Sequence, residues 1–94
     1  MKIIISDKVH KQIQEIVKYI SQDSLYYAKK TKDAIYDKIK ILSFMPYIGR
    51  KIPEYNRDNM REIIYKSYRI MYEIMDSEQE IHIQNIIHGK QSFI

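Results

Sequence analysis

The spacing of apolar residues changes once along the chain, and that change limits the fold more than any other feature. Between Lys8 and Gln22, Val9, Ile13, Ile16, Val17 and Ile20 fall at i, i+4, i+7, i+8 and i+11, one stripe of a helix. Ala28, Ile35, Ile39 and Leu42 continue in that manner between Leu25 and Phe44. After Met60 the period is two. Arg61, Ile63 and Tyr65 alternate with Glu62, Ile64 and Lys66; Tyr68, Ile70, Tyr72 and Ile74 with Arg69, Met71, Glu73 and Met75; Ile81, Ile83, Asn85 and Ile87 with His82, Gln84, Ile86 and His88. Strand side chains change face at every residue, whereas helical ones return to a face each turn, so the first half predicts helices and the second predicts three strands.

The connections complete the topology. Ile3, Ile4 and Ile5 are β-branched and predict a short buried strand ahead of the helices, with Ser6 or Asp7 as the helix cap. The break at Ser21, Gln22, Asp23 and Ser24 makes the two helices an αα-hairpin, and Pro46 stops the second one. Residues 49–59 lack periodicity and read as a loop, or as a short edge strand demoted by Pro53. Lys66-Ser67 and Asp76-Ser77-Glu78-Gln79 are short enough for hairpins, so the three strands should form an antiparallel meander. The expectation is a single α+β domain over residues 1–94, ordered β-α-α-β-β-β, with an antiparallel sheet carrying the αα-hairpin on one face. The first strand should insert beside a later one. Tyr68, Ile70, Tyr72 and Ile74 should meet the helices, leaving Arg69 on the opposite, uncovered face.

Composition narrows the function classes. There is no cysteine, hence no disulfide framework and no zinc–thiolate site. Twenty isoleucines are too many for a disordered chain. No uninterrupted apolar run, Ile3-Ile4-Ile5 included, comes near the roughly 20 residues of a membrane span. The N-terminus has no signal-peptide pattern, so a soluble, cytoplasmic protein without a membrane partner is expected. A net charge of +4 favours an acidic partner only weakly.

The residues able to do chemistry lie in the second half. All four arginines, Arg50, Arg57, Arg61 and Arg69, fall within twenty residues. Arg61 and Arg69 flank one hairpin, where diagonal cross-strand neighbours sit about 7–8 Å apart, and two guanidinium forks at that spacing could face one phosphate or carboxylate. The alternative is a face on which Glu54, Asp58, Glu62 and Glu73 neutralise them. His82 and His88 share strand parity but are separated by about 20 Å along a strand, and His10 is on a helix, so no metal site and no cofactor are expected. His88 ends a strand and can exchange a proton near neutral pH, or is structural. Glu54, opposite a histidine and an arginine, would supply the base, acid and charge stabiliser of phosphodiester chemistry, provided three segments converge. The tyrosines favour packing over base stacking.

The order Leu42…Pro46…Gly49-Arg50…Pro53-Glu54, then Arg61-Glu62-Ile63, Tyr68-Arg69-Ile70-Met71-Tyr72, and finally Ile86-Ile87-His88-Gly89-Lys90 resembles the RelE/ParE superfamily of toxins from type II toxin–antitoxin systems. The resemblance covers nearly the whole chain. It implies a β-α-α-β-β-β toxin neutralised by an antitoxin encoded beside it, which wraps a disordered or helical segment around the toxin. RelE-like members cleave mRNA in the ribosome with basic, histidine, tyrosine or glutamate residues on the open sheet face; ParE-like members poison DNA gyrase and lack that set. In a RelE-like toxin, Arg69 would hold the phosphate, Glu54 would be the base and His88 the acid, while Arg50, Lys51, Arg57, Arg61 and Lys90 would bind RNA or another target. Gly89 stands where nuclease relatives often have an aromatic, the loop lacks their dense lysines, and the His88-Gly89-Lys90 ending resembles the ParE branch. The resemblance thus implies a ParE-like growth inhibitor, with a ribosome-dependent mRNA endoribonuclease as the alternative, and operator DNA met only through the antitoxin. Outside the family, a small β-ribbon DNA-binding regulator is the competing class. The groove beside the αα-hairpin and the sheet edge are the expected antitoxin surfaces.

Overall fold

The computed structural model describes residues 1–88. Strand β1 (Lys2–Ile5) leads into helix α1 (Asp7–Ser21), whose first turn is capped by the Ser6 hydroxyl accepting from the Val9 amide at 3.3 Å. Ser24 does the same for α2 (Leu25–Ile41), accepting from the Tyr27 amide at 3.1 Å. A serine oxygen at this position satisfies an amide that has no partner within the helix. Buried Thr31 fills the gap in the apolar stripe of α2 between Ala28 and Ile35. Strands β2 (Arg50–Lys51), β3 (Met60–Tyr65), β4 (Tyr68–Met75) and β5 (Glu80–His88) follow.

The sheet order is β1-β5-β4-β3-β2. The helices carry the chain from β1 at one edge to β2 at the other, and the meander walks back until β5 meets β1. That last pair is parallel, Lys2 opposite Glu80 through Ile5 opposite Ile83, while the other pairs are antiparallel. The expected architecture is present, with a sheet that is mixed rather than antiparallel throughout, because the last strand joins the first one in parallel. Of the two readings of residues 49–59, the short edge strand holds at Arg50 and Lys51.

The main core lies between the helices and one sheet face. Val9, Ile13, Ile35, Ile39 and Leu42 pack on Ile70, Tyr72, Ile74, Ile81, Ile83 and Ile86. The other face is not uncovered as expected. Ile52, fully buried, drops onto it from the segment after β2 and packs with Met60, Met71 and Ile87. Its amide donates to the Met60 carbonyl at 3.0 Å, which ties this segment to the start of β3.

A β-bulge changes the parity of β5. Tyr72 pairs with Ile83 but Met71 pairs with Asn85, leaving Gln84 as one extra residue. An extra residue reverses the facing of everything beyond it. Ile86 therefore joins Ile81 and Ile83 in the helix-side core, and Ile87 turns to the other face. Among the described residues, no helix is long and apolar enough to cross a membrane.

Candidate functional site

The segment between α2 and β3 is held by a tyrosine from the sheet. Tyr72 is fully buried, and its hydroxyl donates to the Pro46 carbonyl at 2.7 Å and accepts from the Gly49 amide at 3.1 Å. Burial raises its pKa above the usual tyrosine value, which keeps it a neutral donor. Gly49 runs so close that a Cβ there would sit 2.5 Å from the Tyr72 hydroxyl and 2.6 Å from the Glu62 carbonyl oxygen. Glycine is needed for that approach rather than for a left-handed backbone. Arg61 closes the turn from outside, donating to the Gly49 carbonyl at 3.0 Å and, through Nε and Nη2, to Asp58 at 2.8 and 2.7 Å.

Beside this turn, on the sheet face away from the helices, runs a chain of alternating charges. The Glu62 carboxylate is only 1% exposed. It accepts from Arg50 Nε at 2.7 Å through one oxygen and from Arg69 Nε at 2.7 Å through the other. Arg69 then turns its two terminal nitrogens to Glu54, at 3.0 and 2.8 Å. A bidentate carboxylate–guanidinium contact is among the stronger hydrogen-bonded pairs in proteins. The hydrogen bond from Arg69, with one from its own backbone, holds the Glu54 carboxyl down at about 2. The pKa of Arg69 moves further up, the Glu54 contact first among the causes. Arg57 approaches Glu73 at 3.6 Å, and exposed Lys51 reaches Asp58 at 4.0 Å.

The arginines therefore follow the neutralised reading. Each is paired with one or more of Glu54, Asp58, Glu62 and Glu73. Arg61 and Arg69 do not face one anion. The two-residue turn pairs Tyr65 with Tyr68, so Arg61 stands opposite Tyr72 and Arg69 opposite Ile64. Residues 61 and 64 have opposite parity, and the two guanidiniums emerge on opposite faces of the sheet.

Nor do Glu54, Arg69 and His88 converge. Glu54 and Arg69 meet, but His88 pairs with Tyr68 on the helix side, its ring edge-on to the Tyr68 ring at 5.7 Å between centroids. The cause is the bulge. Were β5 paired regularly through Gln84, His88 would keep the parity of His82, which sits opposite Glu73 on the face of Arg69. The expectation that His82 and His88 share a face fails for the same reason. Lys90 lies outside the described residues. Among those residues, no group of histidine, aspartate and glutamate is placed to hold a metal ion.

Two participants escaped the sequence reading. The sequence alternative names Glu62 only as one of four neutralising acids, and it is the buried centre of the charge chain; its signal is a carboxylate between Met60 and Ile64 on one face of β3. Tyr72 was expected in the core, and only the path of the distant Pro46–Gly49 segment shows that its hydroxyl has work there. Chemically, the open face offers a guanidinium whose fork is filled by a carboxylate, not a vacant anion seat.

Comparison with family models gives the class. A family model described as the ParE toxin of the type II toxin–antitoxin system parDE matches residues 3–93. Among curated proteins, none matches the chain. Among solved structures, the isolated RelE toxin of E. coli superposes with a TM-score of 0.70 at 13% identity, over 98% of this chain and 87% of that one; at that identity the likeness shows the fold. The match of that family model over residues 3–93, nearly the whole chain, leads to one conclusion: this chain belongs to the ParE toxin family of type II toxin–antitoxin systems.

Proposed function

We propose that this toxin inhibits growth by binding DNA gyrase as a protein target, without cutting RNA, until a cognate antitoxin sequesters it. One observation carries the reading. Arg69, the residue that would stabilise a phosphate in a nuclease, already spends its fork on Glu54, the residue that would be the base. For Arg69 to take a phosphate, a bidentate carboxylate would first have to leave, and for His88 to act as the acid it would have to serve the other side of the sheet. General acid–base work needs its groups within hydrogen-bond reach of one substrate.

Purified toxin is added to gyrase and supercoiled DNA, and to a translation reaction whose mRNA is mapped by primer extension. Toxin-dependent accumulation of cleaved DNA–gyrase complexes, with an unchanged mRNA pattern, is the expected result. New mRNA cuts that vanish in Arg69→Ala, with no effect on gyrase, would replace this reading by the RelE-like one.

A further inference from the structure

Among the described residues, four leucine or isoleucine side chains stay exposed: Leu25, Ile41, Ile48 and Ile64. Three of them line one cleft of about 260 Å³: Ile41 at the end of α2, Ile48 in the turn that follows, and Ile64 on β3. Exposed apolar residues gathered in one patch mark a contact surface, whereas those scattered singly do not. The strand edge beside the cleft is open as well. β2 pairs with β3 only at Arg61 and Glu62. Alternate residues of β3 turn their main chain toward that lane; Met60 meets the Ile52 amide there and Glu62 meets Arg50, while no strand stands beside Ile64. The charges at the rim have one sign. Lys38 and Arg50 line the cleft, and Glu62 behind them is buried and already holds Arg50 and Arg69. Arg50, its side chain 62% exposed, gives Glu62 only its Nε, so among the described residues its two terminal nitrogens have no acceptor. Arg50 and Ile64 also line the adjoining cleft, with exposed Lys66 and with one acid, Glu54, that is committed to Arg69.

We infer that this cleft is the surface by which the toxin docks on its protein target. A segment of the target buries an apolar side chain among Ile41, Ile48 and Ile64 and lays a carboxylate on the Arg50 fork. The inference rests on the proposed protein target and deepens that reading by naming the toxin's contact and the chemistry it demands. A vacant guanidinium fork matches a carboxylate bidentately, and rim cations without a free acid select an acidic partner. A second copy seated through the same surface would bring Arg50 and Lys38 against their own counterparts. A nucleic-acid backbone would satisfy the fork but has no aliphatic side chain for the cleft. The sheet face away from the helices, the other broad surface for a target, is closed by Ile52 and by the Glu54–Arg69 pair.

Binding of labelled toxin to gyrase and the yield of cleaved DNA–gyrase complexes are measured for the unmodified protein and four variants. These are Ile41→Asp, Ile64→Asp, Arg50→Ala and Leu25→Asp, each checked for an unchanged fold by its amide spectrum. The three cleft variants should bind gyrase at least tenfold more weakly and need at least tenfold more toxin for the same cleavage. Leu25→Asp, outside the cleft, should match the unmodified toxin, whose binding should weaken as salt rises. Gyrase binding that survives in folded Ile41→Asp and Arg50→Ala overturns the docking site and leaves the target reading standing. So does a loss confined to binding of the antitoxin encoded beside the toxin, or to concentration-dependent self-association, because the cleft then belongs to that partner. An unmodified toxin that neither binds gyrase nor raises cleavage overturns the target reading itself, and this site with it.

Discussion

Glu54 sets both carboxylate oxygens on the terminal nitrogens of Arg69, at 2.8 and 3.0 Å, in the fork where an incoming oxyanion would sit. Arg69 is nearly buried, its side chain 11% exposed, and its Nε is committed to Glu62. The contact therefore fixes the segment after β2 onto the open sheet face, and the pair is a clamp before it is anything else.

This clamp has a pH signature. The Glu54 carboxyl is held at about 2 against its usual 4.5. A carboxylate whose pKa is lowered by folding adds stability above the unfolded value, and that addition is lost as pH falls through the folded one. The thermal unfolding midpoint of the unmodified toxin should thus fall between about pH 4.5 and 2, and Glu54→Gln should show a flatter profile across that window. Carboxyl carbon shifts of Glu54 followed by NMR check the assignment: a midpoint near 4.5 would remove the clamp from the explanation.

Glu62 is the member of the chain with the most to lose. Removing one partner of a buried ion pair costs about 3–5 kcal/mol because the other is left uncompensated. Arg69 keeps Glu54 and Arg50 can turn to solvent, so Glu62→Ala is expected at the lower end, about 3 kcal/mol. Arg50→Ala, at an exposed end of the same chain, should cost less than about 1 kcal/mol. Urea unfolding of both variants measures the contrast, and equal costs would contradict the buried position of Glu62.

The turn at Gly49 predicts a coupling. Gly49→Ala drives a methyl against the Tyr72 hydroxyl and the Glu62 carbonyl, an overpacking cost of about 1–3 kcal/mol. Tyr72→Phe strips the partner from the Pro46 carbonyl and the Gly49 amide, at about 1–3 kcal/mol for buried groups left unsatisfied. The phenylalanine also removes one of the two atoms that the new methyl meets, so the double variant should be less destabilised than the sum of the single ones. Additive costs in a double-mutant cycle would show that the two residues do not touch.

Deleting Gln84 should leave a folded protein. The deletion turns the bulge into regular pairing while Ile83, Ile86, Ile87 and His88 keep their present faces. The main loss is the hydrogen bond from Gln84 to Glu73 at 2.9 Å, about 0.5–1.5 kcal/mol. A cooperative transition with a modestly lower midpoint is the expected outcome; a molten product would mean that β5 is not bulged at this residue.

The element order and the helix-side core were legible in the sequence, because each rests on local rules: a 3.6-residue stripe at Val9, Ile13, Ile35 and Ile39, serine caps, and alternation through Tyr68 to Ile74. The elements of the Leu42, Pro46, Gly49, Arg50, Pro53 and Glu54 run were legible as a pattern too, though not as a lock. The site was only half legible. That Arg69 lies on the face away from the helices follows from parity on a single strand. Whether Arg61 and His88 join it depends on pairing between strands and on one unpaired residue, Gln84. Alternation carries no memory of an insertion, so a period of two read through a bulge reverses every later side chain. Burial of Glu62 likewise required the segment of Ile52 to fold over the sheet, a contact between residues that no local pattern links. The sequence by itself determined which elements form and which of their faces make the helix-side core; tertiary pairing alone decided that Glu54 meets Arg69 and that His88 does not.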